Sequence, residues 1–262
     1  MKKNLLNLGS LIENGLGGIN PGFLCLIYTY LLQEFSLDVY RFIVINQIGI
    51  ELDEIVMIDK KDVHINIRYP DNKNFIPKDA KEGKRLCLDI IHEALLRLAK
   101  QDKRIDINKL ETIKNLVIKK NFSFYLVYKK YINPGNNSLL GSIVIHPNEN
   151  SFDFYVIVEQ DGKEICRLLV YKGKSTDYYI DDLFYYGKWK ALNEFIIKGK
   201  TSEIEYHIYI DTCNVELVNI SPNKDKAPIF NLFKAVPEPG ALQDYIASLP
   251  PAIAAVISYE AN

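Results

Sequence analysis

Two adjacent aspartates are the first candidates for catalytic or metal-binding residues. Asp181 and Asp182 interrupt an aromatic and apolar run, YYIDDLFYY. Paired carboxylates can bind a metal ion or move protons in general acid–base catalysis. Together with two histidines on predicted strands, His64 and His207, they would form a dispersed enzyme site. A bend or bulge in a strand is the other interpretation of such a pair, so the sequence assigns no catalytic residue.

A histidine–glutamate pair, His92 and Glu93, opens the segment HEALL. Zinc proteases carry HExxH, in which two histidines on one helix face bind the metal. Leu96 stands where the second histidine would be, so the ligand set is incomplete. Helical spacing puts the pair beside a ladder of charged residues of both signs at i, i+4, formed by Arg85, Asp89, Glu93 and Arg97. The sequence therefore predicts a surface pair and no metal site.

The four cysteines stand alone in the sequence: Cys25, Cys87, Cys166 and Cys213. None belongs to a CxxC motif or to a cluster with histidine, so a zinc site has no support. Cys87 and Cys166 lie in apolar patterns that are typical of buried thiols. We predict reduced, buried cysteines rather than a disulfide framework. No P-loop or GxGxxG motif is present either, and no cofactor is predicted.

The charge balance argues against a general nucleic-acid-binding coat. The 262 residues carry 32 basic and 33 acidic side chains, for a net charge of −1. A local basic patch is still compatible with that balance, and Lys119-Lys120 and Lys129-Lys130 bracket the aromatic segment FSFYLVY. We interpret this segment as a core strand with solvated ends. No nucleic-acid partner is predicted.

The apolar segments near the N-terminus are short. Residues 23–32 form an apolar run of about ten residues, whereas a bilayer span needs roughly twenty. The first residues, MKKNLLNLGSLIENGLGG, begin with basic side chains, but Glu13 interrupts a weak apolar run. No convincing cleavage site follows. We predict no secretory signal, no stable transmembrane span and a cytoplasmic location.

Three helices are predicted, over residues 21–35, 81–100 and 108–120. The first begins at Asn20-Pro21, where a capping residue precedes a proline. The second has an apolar stripe at spacings of three and four, formed by Leu88, Ile91, Leu95 and Leu98. Asp106 or Asn108 caps the third helix. All three helices have an apolar face that must be buried, and the first is apolar almost all round.

Alternation of apolar and polar residues predicts strands over most of the remaining chain. Asp161-Gly162 is a preferred pair for a type I′ hairpin turn, because both residues adopt positive φ there. A two-residue loop sets Phe154 opposite Leu169 and Glu159 opposite Glu164, and a bulge would relieve that like-charge pair. The order of elements predicts an α+β fold: a largely antiparallel multi-stranded sheet, two central helices packed on it, a short N-terminal helix and a C-terminal extension.

The composition changes sharply near residue 226. Residues 1–226 contain four alanines, whereas residues 227–262 contain eight, together with five of the 11 prolines. We predict one α+β domain over residues 1–226 and an Ala/Pro-rich extension over residues 227–262. The extension reads as a docking peptide whose contacting residues are Tyr245, Ile246, Ile253, Val256 and Ile257. Insertion of this apolar tail into a membrane or an assembly is an alternative.

Part of the chain resembles a group of uncharacterised bacterial proteins from immunity, toxin and defence gene neighbourhoods. The resemblance covers about residues 60–220 and rests on the helix LCLDIIHEALLRLAK and the strands SFDFYVIVEQDGKEICRLLVYK. It implies a small cytosolic protein that acts by binding a partner.

The function predicted from these observations is protein interaction, of an immunity-like or accessory kind. Aromatic residues with a charged rim are typical of protein interfaces. Such a surface is predicted on one strand, at Tyr209, Glu203 and Glu205, in addition to the tail. The predicted partner is another protein or a second copy of the chain.

Overall fold

The computed structural model describes residues 5–7, 21–46, 54–57, 61–68, 77–149, 151–174, 184–199 and 204–219. The chain folds into two compact units. The first comprises Met1–Phe124 and Pro147–Asn150, and the second comprises Tyr125–His146 and Ser151–Asn262. One domain over residues 1–226 stays a prediction, and the extension over residues 227–262 lies outside the described residues.

The described helices belong to the first unit. They are α1 (Gly22–Glu34), α2 (Ala80–Gln101) and α3 (Ile107–Lys119), and each bound differs by one residue from the predicted one. In the described part of the chain, no helix has both the length and the apolar character that crossing a membrane requires.

Carboxylate caps fix where α2 and α3 begin. The side chain of Asp79 accepts a hydrogen bond from the Glu82 main-chain nitrogen at 2.8 Å, and Glu82 in turn accepts from the Lys78 nitrogen at 2.6 Å. Asp106 accepts from the Asn108 nitrogen at 2.8 Å, so Asp106 rather than Asn108 is the cap of α3. These bonds satisfy main-chain donors that a helix N-terminus leaves unpaired.

A four-stranded sheet completes the first unit, with β1 (Leu5–Asn7), β2 (Phe42–Asn46), β3 (Glu54–Met57) and β4 (Asp62–Asn66). The strand order is β1-β2-β4-β3. The β1/β2 and β2/β4 pairs are parallel, and β3 runs antiparallel to β4. Alternation predicted β2, β3 and β4 as strands of a largely antiparallel sheet. The two parallel pairs could not be predicted, because a period of two is common to both kinds of sheet.

A polar network ties the end of α2 to the segment before β2. The Tyr40 hydroxyl donates to Asp102 Oδ2 at 2.6 Å, and Arg104 Nη2 donates to the same oxygen at 2.6 Å. The Tyr40 side chain is buried. The hydrogen bond from Arg104 is the largest cause that holds the pKa of Asp102 well below its usual range, outweighing partial burial.

Asp102→Asn is expected to destabilise the first unit by about 1–2 kcal/mol at neutral pH, since it removes the charge from this network. A depressed folded-state pKa contributes stability that is present above the unfolded pKa, near 4, and is lost as the pH falls through the folded value. The difference between wild type and variant should therefore shrink toward pH 2. Urea unfolding followed by circular dichroism at 222 nm reports this unit, because the described helices lie in it. The exposed Asp38→Asn is the control, and an equal loss in both variants would contradict the assignment.

The described part of the second unit consists of eight strands in two sheets. β5 (Leu126–Asn133), β6 (Asn136–Pro147), β7 (Ser151–Gln160) and β8 (Lys163–Lys174) form one sheet in that order. β9 (Tyr186–Trp189), β10 (Glu194–Lys198), β11 (Ile204–Tyr209) and β12 (Asn214–Asn219) form the other. The predicted α+β class with antiparallel sheets is thus confirmed. Residues 190–193 form the turn between β9 and β10.

The β7–β8 hairpin has the predicted turn but a shifted register. Asp161 and Gly162 have φ angles of 52° and 74°, and Glu159 lies opposite Glu164 as expected. Bulges after Val158 and before Tyr155 then displace the pairing, so Phe154 faces Tyr171 instead of Leu169. The register shifts next to this like-charge pair, between Val158 and Glu159, and Arg167 Nη2 donates to Glu164 Oε2 at 2.6 Å.

Aromatic side chains fill the space between the two sheets of the second unit. Phe154 on β7 stacks on Phe184 with ring centroids 4.6 Å apart, and Phe184 contacts Tyr206 on β11 at 5.4 Å. Phe195 on β10 contacts Tyr131 on β5 at 5.6 Å. The two sheets therefore pack face to face around a core of rings, which dominate the buried apolar area.

Candidate functional site

Four hairpin turns gather at one end of the second unit, which we call the tip end. They are the β5–β6 turn at 134–135, the β7–β8 turn at 161–162, the β9–β10 turn at 190–193 and the β11–β12 turn at 210–213. Each sheet is a meander, so alternate turns of each sheet emerge at the same end. Loops on a rigid sandwich are where binding residues are most often found.

Neighbouring turns of the tip end are tied to one another in a ring. Three main-chain or side-chain hydrogen bonds make three of the four links, and the fourth is covalent. The hydrogen bonds are Asp161 N to Ser138 O at 3.0 Å, Asn133 Nδ2 to Ala191 O at 3.3 Å, and Ile210 N to Asn193 O at 2.9 Å. The tip end is therefore held as one rigid surface.

The fourth link is a disulfide between Cys166 on β8 and Cys213 in the β11–β12 turn. Their Cα atoms are 5.5 Å apart, and 47 positions separate them in sequence. The prediction that all four cysteines are reduced was wrong for this pair, because isolated cysteines give no sign of which strands fold together. Cys25 and Cys87 are buried and free, and burial raises the pKa of the Cys87 thiol to about 12.

Side chains cover the edge where β5 meets β9. Lys129 Nζ donates to the Tyr185 carbonyl oxygen at 2.6 Å, and Trp189 Nε1 donates to the Tyr131 carbonyl oxygen at 2.9 Å. Open sheet edges attract further strands, and proteins commonly cover them. Because these carbonyl groups are already engaged, this edge is a poor site for adding a strand from a partner.

Two large apolar side chains stand exposed where the β5–β6 and β9–β10 hairpins touch. Ile132 is 62% exposed and Leu192 is 58% exposed. Leu192 leans over the neighbouring turn, its Cδ2 lying 3.5 Å from where a side chain at Gly135 would begin. The alternation of apolar and polar residues does not indicate that this pair is exposed, because Leu192 lies in a turn and Ile132 has the pattern of an ordinary strand residue.

The predicted surface residues Glu205 and Tyr209 lie on the outer face of the β9–β12 sheet. His207 stands between them, with Nδ1 2.9 Å from Glu194 Oε1 and Nε2 3.1 Å from Glu205 Oε2. The Tyr209 hydroxyl donates to Glu216 Oε2 at 3.0 Å. Burial acts to raise the pKa of Glu194, but hydrogen bonds from His207 and Lys190 outweigh it and hold this pKa below its usual range.

This arrangement at His207 does not favour a catalytic base. Both ring nitrogens face carboxylates, so neither points to an unoccupied position where a substrate proton could be taken. His64 lies on β4 of the first unit. The other candidates for a dispersed site, Asp181 and Asp182, lie outside the described residues, as do Glu203 and the predicted tail contacts Tyr245, Ile246, Ile253, Val256 and Ile257. No three potential metal ligands come together within the described ranges.

The prediction of a surface position for His92 was wrong. Its side chain is 3% exposed, and Nε2 lies 3.0 Å from Glu111 Oε1 on α3. The i, i+4 ladder placed it on the polar side of α2, but α3 and α1 both contact α2 and bury that side. Glu93 keeps the predicted partner Arg97, at 2.9 Å.

A second exposed group lies on the outer face of the β5–β8 sheet. Tyr125 stacks on His146 with ring centroids 4.4 Å apart and contacts the edge of Tyr155 at 5.8 Å. The Arg167 guanidinium lies 5.0 Å from the Tyr125 ring centroid. Half-exposed Leu169 faces Tyr155 on the neighbouring strand. Tyrosine and arginine are the residue types that carry most binding energy in protein interfaces.

No protein-family model, curated protein or solved structure matches this chain.

Proposed function

We propose that this chain is a protein-binding module, and that the tip end of its second unit is the contact surface. The observation that carries the proposal is the exposure of Ile132 and Leu192 on two hairpins that are hydrogen-bonded to each other. Rigid apolar anchors that are already in place lose little entropy on binding.

The composition around the tip end supports an interface rather than a reaction centre. Trp189 Nε1 donates to the carbonyl oxygen of Tyr131, the residue before Ile132, and Tyr186 is half exposed on the same strand as Trp189. Aromatic residues of this kind are enriched in interfaces. An enzyme using His207 has less support, because both of its ring nitrogens face carboxylates.

Three more specific parts of the proposal rest on the sequence alone. They are an immunity-like or accessory role, docking of residues 227–262 on a partner, and a cytoplasmic location. The Cys166–Cys213 disulfide favours an oxidising compartment instead, because such bonds are rare in the cytosol.

The test is site-specific photo-crosslinking in extracts of the protein's own cells. A benzophenone amino acid placed at position 132 or 192 is expected to form a discrete covalent adduct with one partner. The same probe at Ile107, which is 40% exposed on α3 of the first unit, is the matched control. Leu192→Asp should reduce the adduct from position 132 about tenfold, as expected for loss of a central apolar anchor.

An adduct with the mass of two chains would identify a second copy as the partner. If neither tip position forms an adduct, or if position 107 forms the same one, the tip end is not the contact surface and the proposal fails.

A further inference from the structure

The tip end has uneven charge around its exposed apolar pair. We call the part formed by Lys130, Ile132, Lys188, Lys190 and Leu192 the basic corner. Its three lysines are exposed. Lys130 lies two residues before Ile132 on β5. Lys188 lies on the outer face of β9, two residues before Lys190.

The carboxylate that Lys190 contacts does not project from the surface. The Glu194 side chain is 12% exposed. Lys190 Nζ lies 3.0 Å and His207 Nδ1 lies 2.9 Å from Glu194 Oε1, so this carboxylate is already engaged. Lys130 and Lys188 therefore contribute positive potential where an approaching partner meets this corner.

Resting on the proposed function, we infer that the partner presents an acidic segment: one or two apolar side chains flanked by aspartate or glutamate. The apolar residues would cover Ile132 and Leu192, while the carboxylates would face Lys130 and Lys188. Complementary charges at the rim of an interface govern the rate of encounter and exclude wrong partners. The covered β5/β9 edge means that side chains, not an added strand, make the contact.

A short acidic segment fits better than an extended polyanion. The outer face that continues from β9 carries the exposed Glu216 on β12, and the exposed Asp211 lies in the adjoining β11–β12 turn. A nucleic acid or an anionic membrane that spread from the basic corner over this face would meet those carboxylates and be repelled. A segment of a few residues can stay within the corner and avoid them.

The experiment reverses the charge of the corner while the photo-crosslinker stands at position 192. Lys130→Glu/Lys188→Glu is expected to reduce the adduct about tenfold, and raising the salt from about 0.1 M to 1 M should reduce the wild-type adduct as well. Lys81→Glu/Lys103→Glu, at exposed lysines of the first unit, makes the same change in net charge and should leave the adduct within about twofold of wild type. Mass spectrometry of the adduct should identify a peptide in which Asp or Glu flanks the crosslinked apolar residue.

The outcomes separate this inference from the proposed function. An adduct that survives charge reversal, or a crosslinked peptide without acidic residues, overturns the inference and leaves the binding surface standing. Absence of any wild-type adduct overturns the proposed function itself. Sedimentation with vesicles of equal parts phosphatidylcholine and phosphatidylserine, lost in Lys130→Glu/Lys188→Glu, would replace the acidic segment with a membrane surface. An unchanged thermal midpoint is required of each variant, so that a folding defect is not mistaken for lost binding.

Discussion

Reduction of the Cys166–Cys213 disulfide is expected to lower the free energy of unfolding of the second unit by about 4 kcal/mol, from a closed loop of 47 residues. In the chain-entropy account, the bond restricts the unfolded chain and so favours the folded one. The bond also joins β8 of one sheet to the β11–β12 turn of the other. For a unit of this size, the loss corresponds to roughly 10–20 °C in the unfolding midpoint.

The single tryptophan of the chain gives a specific readout. Trp189 lies on β9 of the second unit and donates to the Tyr131 carbonyl oxygen, so its fluorescence reports unfolding of that unit. Wild type should lose stability in the presence of a dithiol reductant. With and without the reductant, Cys166→Ala/Cys213→Ala should have the same stability as reduced wild type. Its unfolding midpoint should therefore not respond to the reductant.

Thiol counting supplies the control. Denatured, unreduced wild type should contain two reactive thiols, those of Cys25 and Cys87, and reduction should raise the count to four. Four thiols in freshly purified protein would contradict the disulfide. The same count on cells quenched with acid tests the predicted cytoplasmic location, because a reducing compartment would leave all four thiols reactive.

Phe154→Ala is expected to destabilise the second unit by about 3–5 kcal/mol, the usual cost of deleting a fully buried phenylalanine ring. The Phe154 side chain is buried and stacks on Phe184, which contacts Tyr206 on the opposite sheet. Removing the ring leaves a cavity between two sheets whose main chains are fixed by hydrogen bonds, so the site cannot easily collapse. Urea unfolding followed by Trp189 fluorescence measures the loss.

Tyr125→Ala is the matched control for this variant. It removes an aromatic side chain of similar size from the same sheet, but from a half-exposed position on the outer face. It should cost no more than about 1 kcal/mol. Equal losses from the two substitutions would mean that the ring stack does not hold the sheets together.

The local elements could be predicted from the sequence because their signals are local. The stripe of α2, the Asp106 cap and the Asp161-Gly162 turn each depend on residues within a few positions of one another. The register of β7 and β8 could be predicted for the two pairs next to the turn only. The bulge beyond Val158 is set by packing across the sheet, and no residue type in the sequence indicates it.

The candidate site depends on contacts between distant segments, and little of it could be predicted. Asn133 and Ala191 are 58 positions apart, and their hydrogen bond brings Ile132 and Leu192 to one place. The ladder on α2 correctly paired Glu93 with Arg97, but it placed His92 at the surface because the covering helix α3 was not part of that pattern. Of the predicted interaction residues, Glu205 and Tyr209 fall on an outer sheet face, next to the tip end and not at its apolar centre.

Both sheets of the second unit are meanders, and this order has a consequence for how the chain folds. Each strand pairs with a neighbour in its own sheet that is also its neighbour along the chain, across turns of two to four residues at the tip end. Such pairings close only short loops, so the loss of chain entropy that precedes their first contacts is small. The slow search is then confined to docking one sheet on the other. The ring stack of Phe154, Phe184 and Tyr206, which holds the two halves together once folded, is thus also the place where the folding chain must find its long-range contacts.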